Sequence, residues 1–234
     1  MQVGLARRLT TRLLPGMEYV RRPEYKDECL DYDSYWRLLE GKAHLKRRHM
    51  LLAGHIPDRS RVLEIGCGSG DFAHYLGSRK RCDVVAIDIS ERAVSLSRQK
   101  GVTAIVRDVA AEPLGNEYGR FDFAVLTEVV EHCVEAERLM TSAAECSDAI
   151  VISAPNIAYL LNRLCLMFAG RFPSQWVCHP AEHVRFWSVS DFRGWVRHLG
   201  FTICSEEAAS GIPLLRDLMP NLFAQQVCFT LRKN

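Results

Sequence analysis

The sequence predicts a doubly wound α/β fold built on a mostly parallel, seven-stranded sheet. Short Val- and Ile-rich runs alternate with segments of helical period, and a glycine-dense turn follows the first of those runs. A chain of 234 residues with 48% hydrophobic and 25% charged content buries the core of one domain rather than two. The expected organisation is a helical N-terminal lid (1–57), a core (58–154), a cap insertion (155–188) and a C-terminal return to the core (189–234).

The elements follow in order. "MQVGLARRLTTRLLPGM" carries Arg7, Arg8 and Arg12 with no acid before Glu18. It predicts a short solvated helix ending at Pro15, with a surface-seeking or transit-like segment as the alternative. Residues 32–56 read as one helix, with Leu38, Leu39, Leu45, Leu51 and Leu52 among basic residues and a stop at Gly54 and Pro57. In "VLEIGCGSG", Val62, Leu63 and Ile65 belong to a buried strand at 61–65, and Gly66, Gly68 and Gly70 form a turn that lets a ligand approach the backbone. Asp71 opens the next helix, 83–90 is the second strand, and Ser90 caps a helix that Gly101 closes. Strands follow at 102–109, 121–128 and 148–155, with a helix over 133–146 between the last two. A helix at 189–200 leads to strands at 201–206 and 225–233. Residues 156–187 exceed what a βα connection needs, so they read as an insertion covering substrate at the carboxyl edge of the sheet.

Composition excludes several classes. A formal net charge of +2 provides no global basic field for nucleic acid. No apolar run is long enough for a transmembrane helix. The nine cysteines are odd in number and contain no C-x-x-C pair, which predicts reduced thiols in a cytoplasmic protein, several of them small core residues.

The glycine turn has the spacing E-x-G-x-G-x-G, tighter than the G-x-G-x-x-G of dinucleotide sites. Its acid, Glu64, would repel a pyrophosphate and attract a cationic ligand. Asp88, ending the second strand, suits ribose hydroxyls.

"LEIGCGSG", "AIDIS", "RDV" and "FDFAVLTEVVEH" together resemble the cofactor region of class I S-adenosylmethionine (SAM)-dependent methyltransferases, over roughly residues 60 to 232. The resemblance implies a Rossmann-like fold with SAM as cofactor. It places Glu64, Gly66, Cys67, Gly68 and Gly70 at the methionine half, Asp88 at the ribose and Ile89 against adenine. Asp108 would accept from the adenine amine, with Val109 and Thr127 completing the cofactor wall. "ISAPNIAYLLNRLCLMFAGRFP", "EHVRFWSVSDF" and "RDLMPNL" are similar to the MetW-like (methionine-biosynthesis) branch, which implies either catalysis or a noncatalytic partnership with another enzyme. Tyr32, Tyr35, Trp36, Lys46 and Arg47 either pack a helix on the sheet or form a lid over SAM that holds its carboxylate.

"TEVVEHC" carries the chemistry. Glu128, Glu131 and His132 stand at i, i+3, i+4, one face of a helical turn, and His132, with an ordinary pKa of ~6.5, suits a general base beside Glu131. The E-x-x-E-H pattern is similar to that of ubiquinone-pathway O-methyltransferases and small-RNA terminal 2′-O-methyltransferases. That likeness implies a divalent ion (Mn, Fe, Zn or Mg) held by Glu128, Glu131, His132 and His183. His179, His183 and Arg185 would line the acceptor pocket, with Arg171 and Arg185 able to clamp an acidic acceptor. Alternatively His179 and Arg185 are solvated and Trp187 is core. The expected activity is O-methylation of a small polar or sugar-like acceptor. A noncatalytic SAM-binding partner of a metabolic enzyme and an RNA-terminal 2′-O-methyltransferase are the alternatives.

Overall fold

The computed structural model describes residues 30–42, 45–109, 111–112, 114–115, 117–173 and 179–234. The expected helix at the start of the chain lies outside them. Seven strands form one mixed sheet: β1 (Arg61–Ile65), β2 (Asp83–Asp88), β3 (Thr103–Val106), β4 (Phe121–Thr127), β5 (Ser147–Pro155), β6 (Phe201–Gly211) and β7 (Ala224–Lys233). Their order is β3-β2-β1-β4-β5-β7-β6, parallel through β5, with β7 antiparallel to both β5 and β6.

The central strands read as near-continuous apolar runs because both faces are covered. Leu63 and Ile65 of β1 pack on one side with Ile87, Leu126 and Ile152, while Val62 joins Leu52, Phe72, Val125 and Val151 on the other. Six described cysteines (67, 82, 133, 146, 165, 228) are buried as unpaired thiols, and Cys204 is exposed and also unpaired. Among the described residues no helix is long and apolar enough to cross a membrane.

Helices are supplied by α1 (Tyr32–Leu39), α2 (Arg47–Gly54), α3 (Asp71–Lys80), α4 (Glu91–Gln99), α5 (Ala136–Cys146), α6 (Leu160–Ala169), α7 (Val189–His198) and two single turns, α8 (Leu215–Leu218) and α9 (Pro220–Phe223). The expected Ser90 cap is present, its hydroxyl accepting from the Ala93 N–H at 3.0 Å, and Ser188 and Asp191 add a capping box on α7.

Several boundaries depart from the sequence expectations. The single helix over 32–56 is two, because Glu40 leaves the helical region and Gly41 takes a left-handed φ of +74°, while the Lys42 ammonium donates to the Leu38 carbonyl. The third strand ends at Val106, where the Arg107 N–H still reaches the Asp88 carbonyl but Asp108 turns to accept from the Ala111 N–H. The helix expected from 133 starts at Ala136 and is preceded by a 3-10 turn, Val130–His132. β6 continues to Gly211 because pairing with β7 overrides the poor strand propensity of "EEAASG".

Gly70, at φ +73°, starts α3 against α4. A Cβ there would stand 2.8 Å from the Ser97 Cα. Gly70→Ala is expected to destabilise the protein by at least ~2 kcal/mol in urea unfolding, from left-handed strain and overpacking together.

Candidate active site

A cavity of about 530 Å³ opens at the carboxyl edge of β1, β2 and β4, beneath α1. Its floor is the glycine turn. The Gly66 and Cys67 N–H groups both donate to the Ile87 carbonyl (2.8 and 3.0 Å), fastening the turn to β2, and Gly66 and Gly68 have φ of +71° and +53°. Asp88, buried at the end of β2, accepts from the Gly68 N–H at 2.8 Å and the Ser90 N–H at 2.9 Å. Glu64 lies in the same wall with its Oε2 buried and without a partner. Burial pushes its carboxyl up to about 8 against the pull of the Ala73 N–H, with Asp88 and Asp71 adding to the rise. Ile89, Arg107, Asp108, Val109 and Thr127 continue the lining, Ile89 half exposed at the mouth and Thr127 with a buried hydroxyl lacking a partner.

The roof is α1, which buries none of its own side chains. It is strapped to α4: the Asp33 carboxylate accepts from the Ser90 hydroxyl (2.5 Å) and the Arg92 N–H (3.1 Å), and Glu40 pairs with the Arg92 guanidinium. From this strap Trp36 lies on the glycine turn, so that a Cβ at Gly68 would be 2.2 Å from its ring. Tyr32 reaches across to put its hydroxyl 3.3 Å from the His132 Nδ1. Lys42, Lys46 and Arg48 add a basic rim, and it is Arg48, not the expected Arg47, that lines the cavity.

His132 and His183, in the same lining, belong to a cluster of ligand-type atoms. Glu131, His132 and His183 offer ligand-type atoms that all lie within 4.8 Å of one another, the one such group found among the described residues. Glu131 is 0% exposed, and neither carboxylate oxygen has a hydrogen-bond partner. Burial raises its pKa, and the charge of Glu128 adds to that. Burial also lowers the pKa of His132, and takes that of His183 down to about 3 with the help of His132. The two imidazoles meet edge to face at 4.6 Å between centroids, and His183 keeps a buried Nδ1 without a partner. Backbone brings them together: the Glu131 carbonyl accepts from the Val184 N–H (2.9 Å) and the Arg185 N–H (3.1 Å), pinning the far end of the insertion to the turn after β4.

Other expected positions fall elsewhere. Glu128 does not share a helical face with Glu131 and His132; it sits at φ +55°, a left-handed corner ending β4. Its carboxylate accepts from the Ser153 hydroxyl (3.1 Å) and the Gln226 amide (2.8 Å), 4.0 Å from Arg48 and outside the donor cluster. Arg185 turns away from the cavity into a two-pronged pair with Glu137, and His179 caps its own turn by accepting from the Ala181 N–H. Trp187 is core, as one of the alternatives held. Gly70 shapes α3 rather than the cavity wall. Sequence reasoning missed Arg48, Gln225, Gln226 and Glu182 as lining residues. The two glutamines stand at the start of β7, a strand whose sequence carries no site signal.

Comparison with known proteins decides the family. The chain belongs to the methyltransferase domain family. The family model matches residues 35–206, which hold the glycine turn, Asp88 and the donor cluster. The ubiquinone biosynthesis O-methyltransferase of Sinorhizobium fredii is 35% identical over 88 residues (36% of this chain, 35% of the relative), and that of Roseobacter denitrificans 41% over 76 residues (31% and 30%). The matched stretch thus spans about a third of the length of these relatives. Among solved structures, magnesium protoporphyrin IX methyltransferase from Synechocystis PCC 6803 with bound SAH superposes with a TM-score of 0.60 at 19% identity, covering 86% of this chain and 94% of that one. A SAM-dependent methyltransferase from Archaeoglobus fulgidus gives 0.60 at 20% identity, covering 85% and 100%. The fold is therefore that of class I methyltransferases, and SAM is the cofactor named for the Archaeoglobus neighbour. The cavity fits that group, because a cationic ammonium or sulfonium would compensate the buried Glu64 carboxyl, whose Oε2 has no partner.

Glu64 links the cavity to pH. Its pKa rises from 4.5 in the unfolded chain to about 8 in the fold, so its contribution to stability is full below pH 4.5 and is lost as pH climbs through 8. The ligand-free Tm is expected to fall by several degrees over that window, with a shallower fall in Glu64→Gln, measured by calorimetry across pH.

Proposed function

We propose that this SAM-dependent enzyme methylates a hydroxyl oxygen of its acceptor, with His132 as the proton acceptor. The carrying observation is the Glu131–His132–His183 cluster, whose two histidines line the same cavity as Asp88. The partial likeness to ubiquinone biosynthesis O-methyltransferases supports oxygen as the methylated atom. SAM when bound supplies a methyl on a sulfonium, which becomes a neutral thioether as the carbon–sulfur bond breaks. Glu64 and the backbone of Gly66, Cys67 and Gly68 hold the methionine half, and Asp88 accepts from the ribose hydroxyls. Ile89, Asp108 and Val109 bound the adenine, with Thr127 beneath the reacting centre. Trp36 and Tyr32 close the roof and exclude water. His132 takes the hydroxyl proton as the oxygen–carbon bond forms, so each proton and electron pair is placed. His183 bounds the acceptor, whereas Arg185 and His179 have no direct part. A catalytically idle SAM-binding role, the expectation attached to the MetW-like resemblance, leaves the buried cluster without a task.

The orphaned oxygens of Glu131 favour a second reading, in which Glu131, His132 and His183 hold a divalent ion. A carboxylate with two imidazoles suits Mn²⁺, Fe²⁺ or Zn²⁺ over Mg²⁺. When bound, such an ion would acidify the acceptor hydroxyl.

Asp88→Ala is expected to weaken SAM at least about tenfold in calorimetry, the loss of a charge-assisted hydrogen bond. Unchanged affinity would show that the cofactor lies elsewhere. Release of S-adenosylhomocysteine in a panel of hydroxylated acceptors should fall about 10²- to 10⁴-fold in His132→Ala; methylation confined to amines or thiols would reject the oxygen assignment. Elemental analysis of protein purified without chelator separates the two readings: a stoichiometric ion that Glu131→Gln and His183→Ala both lose establishes the metal, and activity indifferent to chelator leaves His132 as the base.

A further inference from the structure

The insertion exposes an apolar face that the methyl-transfer site does not use. In α6 only Asn162 and Arg163 are polar, and Asn162 is buried, donating to the Asn156 carbonyl at 3.2 Å. Leu161, Asn162 and Cys165 turn inward, leaving Leu166, Met167 (66% exposed) and Phe168 (78%) outside. A surface helix ordinarily turns a polar face to water, and α6 offers only Arg163. The Arg163 guanidinium donates to the Asn221 carbonyl at 3.3 Å, which sets α9 and the preceding turn beside α6. That turn exposes Leu214, Leu218 (77%) and Met219. A contiguous apolar set of this kind marks a surface that meets something, where single exposed residues would need no explanation.

Charge identifies the occupant. From Ala149 to Ala181 the sequence has no aspartate or glutamate, while Arg163 and Arg171 stand within it. Arg163 donates to the carbonyls of Ala158 and Asn221 and pairs with no carboxylate among the described residues. Asp217, the acid in the neighbouring turn, is paired with Arg216 at 3.7 Å, so a second copy packed two-fold on this face would set its basic charge against itself. Residues 1–17 have the same character in sequence: Leu5, Leu13 and Leu14 with Arg7, Arg8 and Arg12, and no acid. Apolar bulk flanked by arginine without acid complements a layer of lipid hydrocarbon beneath anionic headgroups.

We propose that the face formed by Leu166, Met167 and Phe168 with Leu214, Leu218 and Met219 seats on an anionic bilayer surface, with Arg163 among the lipid phosphates. The face runs on to the cavity. The Phe172 ring lies 5.1 Å from Phe186, which lies 6.3 Å from His183, so the end of the cavity that holds the donor cluster borders the lipid.

The full chain is expected to cosediment with vesicles of phosphatidylcholine and phosphatidylglycerol at least about tenfold more tightly than with phosphatidylcholine alone, and less so as salt is raised. Met167→Ser/Phe168→Ser should weaken that binding at least about tenfold. These side chains are exposed, so thermal unfolding and SAM affinity should stay at parental values, which separates failure of this face from failure of the active-site reading. Arg163→Gln should weaken binding to the anionic vesicles and leave the neutral ones unaffected. No cosedimentation, or binding indifferent to Met167→Ser/Phe168→Ser, overturns the proposal. So does a dimer in light scattering that this double substitution dissolves, which would assign the face to a second copy.

Discussion

The carboxylates enclosed at the carboxyl edge of the sheet are the constraint around which the rest of the structure is arranged. Glu64, Asp88 and Glu131 are all buried, and each has its pKa raised first of all by loss of water. Buried acids without counter-charge work against folding, so the core has to tolerate them. The apolar layers on both faces of the central strands supply that tolerance. The same desolvation makes the cavity receptive to cations at two separate places, the glycine turn and the donor cluster. At the first a buried carboxyl oxygen lacks a partner; the second gathers imidazoles around an unsatisfied carboxylate.

Two long-range fastenings hold these two places in register. On the cofactor side, α1 contributes no buried side chain, and its hold comes from polar contacts to the start of α4. A helix attached in that way opens at less cost than one packed into a core, which suits a roof that must admit a ligand. On the acceptor side, one backbone carbonyl, that of Glu131, receives two N–H groups from the insertion. This bond sets His183 against His132, and the same residue supplies the carboxylate between them. The left-handed Glu128 belongs to this fastening as well, since the corner it makes turns the chain from β4 into the 3-10 turn that presents Glu131 and His132. Strain at such a corner is stored where the surrounding structure over-determines it, here through Ser153, Gln226 and Arg48.

The outer face of the insertion follows different physics from its inner one. Inside, the half-buried His183 is set in place by the backbone hydrogen bonds of the next two residues, Val184 and Arg185. Outside, α6 carries apolar residues into solvent with an arginine and no acid in its own sequence. One stretch of chain thus lines the cavity through Glu182 and His183 and carries an exposed apolar face, with the ring contacts from Phe172 to His183 running between them.

The sequence by itself determined the parallel core, the glycine turn with its acid, and the carboxylate of Asp88 at the end of the second strand. These are local signals: apolar runs buried on both faces, glycines at positive φ, a carboxylate at a strand end. It also offered His183 as a companion of His132, through likeness of pattern. Only the tertiary structure decided which of those residues meet. Spacing of i, i+3, i+4 assumed a helix, but a left-handed Glu128 and a 3-10 turn redirected one acid toward β7 and left the other with the histidines. Arg185, adjacent to the cluster in sequence, found a carboxylate in Glu137 instead, and Arg48 displaced Arg47 because the break at Gly41 reset the phase of the second helix. Strand pairing and loop closure act between residues distant in sequence, and no local periodicity encodes where they bring side chains together.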